Sequence, residues 1–226
     1  MVKLIRPDIF ISNVVAFFTD RELGADIKRI SSMLSIKSED IFLPIQRHTS
    51  RILVLESSMD SHVADAVITK KKGIFIGIQV ADCVPILLHD SKHSVIGAVH
   101  AGWRGTASQV IKKTIKTMNK YFHSLPKDIK IALGPSIRRN CYVVDKTVKD
   151  MIIKATGKGR YYRRHANGKH WIDLSSANIH QALSIGVLKE NIWVSDECTY
   201  CNHEKYYSYR YGKDSRGRQG GFIGIL

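Results

Sequence analysis

Short apolar runs separated by polar punctuation dominate this chain, and four stretches carry a helical period instead. Residues 9–18 (IFISNVVAFF) are apolar with β-branched and aromatic members and predict a strand. After the turn TDRELG, Ile27, Ile30 and Leu34 of ADIKRISSMLSI fall on one helical face. The runs IFLPIQRH and RILVLES read as strands on either side of His48-Thr49-Ser50, and GIFIGIQV as a further apolar strand leading straight into Asp82-Cys83. Ile111, Ile115, Met118 and Phe122 repeat at spacings of four, three and four, with Lys112, Lys113 and Lys116 outside. That helix is predicted to start near Gly105–Ser108, capped by Thr106 or Ser108. IKIALGPSI reads as a strand, TVKDMIIKAT and SSANIHQALSIGV as helices, the second capped by Asp173 or Ser175. NIWVS, YYSYRY and GFIGIL complete the expected strands, and KDSRGRQGG between the last two is a basic, glycine-rich loop. With no repeat or linker, the pattern predicts one mixed domain over residues 1–226 with several strands and about four helices.

The stretch Val80–Thr106 (VADCVPILLHDSKHSVIGAVHAGWRGT) organises the rest. Its two apolar runs, Val84–Leu88 and Val95–Val99, flank the turn-like HDSKHS, so a hairpin brings Cys83 and His100 together at its open end. A thiol and an imidazole placed there bind a metal or form a nucleophilic dyad.

Composition narrows the setting. Hydrophobic residues are 44% and charged residues 24%, ordinary for a globular protein, and no apolar run reaches the 18 residues of a membrane span. Asp8 and scattered polar residues interrupt any signal-peptide core at the N-terminus, so a cytoplasmic protein with no membrane partner is expected. Four cysteines in 226 residues do not make a disulfide scaffold. The net charge of +15 raises the question of nucleic acid, but no zinc finger, RNP motif or basic helix interleaved with aromatics supports it. A solubilising lysine-rich surface explains the charge better than nucleic-acid binding.

Individual residues sharpen the chemistry. Burying Asp82 beside Cys83 costs free energy unless the carboxylate has a task, such as orienting a metal ligand. HAGWRG surrounds His100 with small residues and sets Arg104 and free amides at a helix start, a natural anion site. His48, in a turn between strands, is the best third ligand, and two His plus one Cys leave an open fourth position for water or substrate. Cys198 and Cys201 form a C-x-x-C with no second ligand pair at zinc-knuckle spacing, and are expected to be structural. His89 and His93 stand in the expected turn and should be solvent-exposed. The segment 161–171 (YYRRHANGKHW) reads as an exposed basic loop or an anion clamp.

VADCVPILL, AVHAGWRGT, ALGPSI, CYVV, CTYC and the closing YSYR…GRQGGFIGIL occur in an order that resembles the YfiH/laccase-domain family from about Asn13 to Leu226. The resemblance implies an α+β fold, a single domain of packed mixed β-sheets flanked by helices. It implies a zinc site on His48 (in QRH), Cys83 and His100, which would then be both the metal ligands and the candidate catalytic residues. It further implies phosphorolysis of adenosine, inosine, guanosine and methylthioadenosine, with adenosine deamination, so a purine nucleoside and phosphate as partners. Arg21 matches the family's F-T-x-R, and with Arg104 is the candidate substrate-binding residue. The sequence departs from the family in lacking the S-L-N-L-G stretch and in having QRHTS where Q-V-H-G is usual.

The competing activities can be weighed on the residues. Multicopper polyphenol oxidation needs paired H-x-H ligands for its copper cluster, and none occurs among the ten histidines, which disfavours copper. The H-x-E…P-C-x-x-C signature of cytidine-type deaminases is also missing, so deamination would use another site design. A metal-free Cys83–His100 hydrolase and a basic nucleic-acid-binding protein are the remaining alternatives.

Overall fold

The computed structural model describes residues 4–10, 13–56, 59–212 and 217–226. Its strands are β1 (Val14–Phe18), β2 (Ile41–Phe42), β3 (Ile52–Val54), β4 (Ala66–Thr69), β5 (Phe75–Val80), β6 (Val84–Asp90), β7 (Val95–Ala101), β8 (Ile129–Leu133), β9 (Val143–Val144), β10 (Tyr162–Arg164), β11 (His170–Ile172), β12 (Ile192–Val194) and β13 (Gln219–Ile225). The helices are α1 (Ile27–Leu34), α2 (Trp103–Ala107), α3 (Val110–Phe122), α4 (Lys146–Thr156), α5 (Leu174–Leu183) and α6 (Tyr209–Gly212). The strands form a six-stranded sheet (β12-β8-β6-β7-β4-β3), a four-stranded sheet (β1-β13-β5-β2) and a small one (β10-β11-β9). This is the expected α+β architecture.

Strand alternation explains the layering, because successive side chains point to opposite faces. On β6, Leu87 faces the four-stranded sheet, where it joins Ile76, Ile78 and Ile223 in one buried cluster. Its neighbours Ile86 and Leu88 face the other way, onto Ile111, Ile115 and Met118 of α3 and Ala177 of α5. Phe18 and Phe17 split in the same manner: Phe18 lies between the sheets, while Phe17 packs with Phe75, Phe222 and Ile30 under α1. The order is therefore helix, sheet, sheet, helices. Both faces of the central strands are covered, which is why β6, β7 and β13 are buried at every position and read as unbroken apolar runs.

The β6–β7 hairpin forms as expected, with Val84 opposite Ala101 and Pro85 opposite His100. Its strands run longer than the apolar pattern suggested, since His89 and Asp90 belong to β6. His89 is wholly buried, with its ring edge-on to Phe10, so the exposed-loop expectation fails there; His93 does lie in the turn and meets Asp90 at 2.7 Å.

Other expectations also shift. The helix after His100 begins at Trp103 with Gly102 as N-cap, and breaks at Gln109, whose φ is 59°, before α3 resumes. Thr106 is therefore inside α2, where its hydroxyl accepts from Asn178 Nδ2 at 2.9 Å instead of capping. Asp173 does cap α5, accepting from Ser176 N at 2.9 Å; Ser175 lies within the helix and meets Ser136. YYSYRY is not a strand: it passes into the short α6, because Asp82 captures the Arg210 amide that a strand ladder would need. The 161–171 segment forms a hairpin of β10 and β11, with the Arg163 guanidinium over the Trp171 ring. The expected strand over 9–18 is realised from Val14 onward, and its positions 11–12, like 57 of the RILVLES run and 213–216 of the basic loop, lie outside the described residues.

Candidate functional site

Two loops and the end of β7 bring His48, Cys83 and His100 together at one end of the sandwich. Gln46 docks the first of them: its side chain donates to Gln79 O at 2.8 Å and accepts from Gln79 N at 2.7 Å, completing both backbone bonds of a β5 residue. Two residues on, His48 takes a left-handed φ of 56°. That turn is held by Asp65, whose carboxylate accepts from His48 N (3.0 Å), Thr49 N (2.6 Å) and Thr49 Oγ1 (2.7 Å). Cys83 immediately precedes β6 and His100 is the penultimate residue of β7, so strand pairing sets their separation.

The imidazole and thiol atoms of the three residues lie within 4.8 Å of one another, with Cys83 Sγ 4.0 Å from His48 Nε2. Zn–N bonds of about 2.1 Å and a Zn–S bond of about 2.3 Å set a tetrahedral N···S edge of about 3.6 Å, so a small inward movement completes the fit. Asp65 Oδ1 holds His100 Nδ1 at 2.8 Å, which turns Nε2 to the ligand side, the usual carboxylate–histidine–metal arrangement. Gly102 completes the cradle: a Cβ there would lie 2.8 Å from Cys83 Sγ and 3.3 Å from His48 Cδ2.

The electrostatics favour a thiolate. Burial raises the Cys83 thiol, but His100 and His48 outweigh it and bring it down to about 6. Burial likewise lowers His100, yet Cys83 and Asp65 push it up to about 9. The carboxyl of Asp65 stays far below the ordinary range: burial raises it, and the bonds from His100 and Thr49 overcome that cost.

A cavity of about 700 Å³ opens over His48, Cys83 and His100, within the range of small-molecule sites. Arg104, Arg210 and Arg218 line it with positive charge, and Trp103, Tyr142 and Tyr209 supply aromatic surface. Arg104 follows the N-capped start of α2 and stacks on Trp103 at 4.3 Å. Arg210 lies 4.9 Å from the Tyr142 ring and donates to Val143 O.

Two further candidates differ in position. Arg21 is not among the cavity-lining residues; its guanidinium covers the Tyr207 ring at 4.8 Å. Asp82 borders the cavity, but its carboxylate turns away from the ligands to accept from Thr199 Oγ1 (2.7 Å) and Arg210 N (2.6 Å). The carboxylate bonded to the His100 ring is that of Asp65. The A-D sequence at Ala64–Asp65 carried no motif to reveal this, whereas Arg210 and Arg218 lay in the closing YSYR…GRQGG.

The fold and this cavity define a YlmD-like α+β protein. The structure of YlmD from Geobacillus stearothermophilus superimposes with a TM-score of 0.89 at 27% identity, covering 97% of this chain and 94% of that one. The family described as multi-copper polyphenol oxidoreductase laccase matches residues 19–226, and the chain belongs to it. A purine nucleoside phosphorylase of Bacteroides thetaiotaomicron is 34% identical over 76% of this chain and 68% of its own length. Adenosine deaminase RL5, from an unknown prokaryotic organism, is 32% identical over 87% of this chain and 78% of its own.

Proposed function

We propose that this protein is a zinc-dependent purine nucleoside enzyme of the cytoplasm that cleaves adenosine, inosine, guanosine or methylthioadenosine by phosphorolysis and also deaminates adenosine. The observation that carries this reading is the sharing of one cavity by the open His48–Cys83–His100 ligand set, three guanidinium groups and an aromatic wall. The relatives named purine nucleoside phosphorylase and adenosine deaminase support it.

His48, Cys83 and His100 would hold the zinc, which supplies Lewis acidity at its open position. Arg104, Arg210 and Arg218 offer planar, paired donors for phosphate and balance its charge. In phosphorolysis a phosphate oxygen bonds to C1′ of the ribose as the C1′–N9 bond breaks, and the base departs with the electron pair and takes up a proton. Tyr142 and Trp103 give the purine an apolar surface and exclude water, which would otherwise compete with phosphate. Copper oxidase chemistry is disfavoured by the absence of any H-x-H among the ten histidines.

Incubation with inosine and saturating phosphate should release hypoxanthine and ribose 1-phosphate, and omission of phosphate should abolish it. No hypoxanthine under those conditions overturns phosphorolysis, and adenosine converted to inosine in the same assay reports deamination separately. The lowered Cys83 thiol beside a charged His100 also fits a metal-free hydrolase. One equivalent of zinc that is retained by the wild type and lost in His48→Ala excludes it.

A further inference from the structure

The C-x-x-C of Cys198 and Cys201 has no second ligand pair nearby in sequence, but the fold supplies a third sulfur from another loop. Cys141 ends the turn after β8, and the chain returns beside it through a parallel bridge between Ser136 and Cys198. The three sulfurs lie within 4.8 Å of one another, and Cys141 Sγ and Cys201 Sγ are 3.2 Å apart. Tetrahedral zinc thiolates with Zn–S of about 2.3 Å place sulfurs about 3.8 Å apart, between those two values.

The backbone orients Cys198 within the cluster. Its Sγ accepts from Arg138 N at 3.4 Å, so an amide from the 138–142 loop meets the first sulfur of the C-x-x-C. A disulfide between Cys141 and Cys201 would use only two of the three sulfurs and leave this amide-fed one idle. Cys198 is buried, Cys141 half-buried and Cys201 exposed, so the open side of the cluster faces solvent.

We propose that Cys141, Cys198 and Cys201 bind a second zinc ion that clamps the 138–142 loop to the 198–201 turn. Soft sulfur donors without imidazole or carboxylate select zinc over magnesium, calcium or manganese. The clamp stands behind the pocket. Tyr142, next to Cys141, lines the cavity, and Thr199, between the paired cysteines, donates to the Asp82 carboxylate beside Cys83. The ion would buttress one wall of the cavity without touching what binds there, so the proposal does not depend on the nucleoside reading.

The test measures zinc in the full chain, reduced, loaded with zinc and freed of excess by gel filtration. Wild type should retain about two equivalents per chain, Cys201→Ser and Cys141→Ser about one each, and His48→Ala about one. The double variant His48→Ala with Cys201→Ser should retain none. Cobalt loading of His48→Ala provides a readout that requires no change at the cluster: a thiolate-to-cobalt absorption in the near ultraviolet is expected. Zinc content unchanged by both Cys201→Ser and Cys141→Ser overturns the proposal. So does a Cys141–Cys201 disulfide in protein purified without oxygen, or the absence of that cobalt absorption.

Discussion

One oxygen of Asp65 joins the two histidines of the site: Oδ1 lies 2.8 Å from His100 Nδ1 and 3.0 Å from His48 N. A single carboxylate thus fixes the ring of one ligand and the backbone turn of the other. Asp65→Asn keeps the volume but loses a charge and one acceptor, so His100 is no longer held in one tautomer. Zinc affinity at the His48–Cys83–His100 site should fall about 10–100-fold, measured by competition with a chromophoric chelator. Affinity within about two-fold of wild type would show that Asp65 does not position His100.

Gly102 tests the packing of the same site. In Gly102→Ala the new methyl would stand 2.8 Å from Cys83 Sγ, so the sulfur or the 100–103 backbone must move. Overpacking of this kind costs about 1–3 kcal/mol of stability, read by urea unfolding. Loss of zinc binding should exceed what that destabilisation explains, since His48 is displaced by the same atom.

The arginines separate by position. Arg104→Ala removes a charged partner from the cavity, and a charge-assisted hydrogen bond is worth about 1.5–3 kcal/mol, so KM for phosphate should rise roughly 10–150-fold. Arg21→Ala, over the Tyr207 ring, should leave that KM within about two-fold. Equal effects of the two substitutions would contradict the cavity as the phosphate site.

His89 makes stability depend on pH. Burial, with Lys130 adding to it and Asp90 opposing, lowers its imidazole to about 4 from 6.5. The unfolded chain therefore binds a proton between pH 6.5 and 4 that the folded chain refuses, and the neutral state's stability is lost as pH falls through that window. At pH 5 the loss attributable to His89 should be about 1–2 kcal/mol. Urea unfolding at pH 7 and pH 5 should show a smaller acid loss in His89→Leu than in wild type; an equal loss removes His89 as the cause.

What the sequence disclosed follows from the range of the interactions involved. The β6–β7 hairpin and the meeting of Cys83 with His100 were legible because alternation and turn chemistry are local. Helix α3 was legible from its period, though not the break at Gln109, whose backbone turns left-handed. Asp65 was invisible: it is 35 residues from His100, and nothing in its own neighbourhood announces a partner. His89 was misplaced because a polar side chain in a turn-like string looks exposed, whereas β6 carries it beneath Phe10. Cys141 was missed for the same reason as Asp65, since its proximity to Cys201 arises 60 residues away in the chain.

The position of β13 has a consequence for how the molecule is assembled. It is an inner strand of its sheet, paired with β1 on one side and β5 on the other, with Phe222 opposite Phe17 and Gly77. The four-stranded sheet therefore cannot close without β13, which follows directly on the cavity-lining Arg218. Pairings of such long sequence separation slow folding, because the loop must be closed before any contact rewards it. A chain truncated before β13 would lack the strand that joins β1 to β5, so it should bind no phosphate even with His48, Cys83 and His100 present.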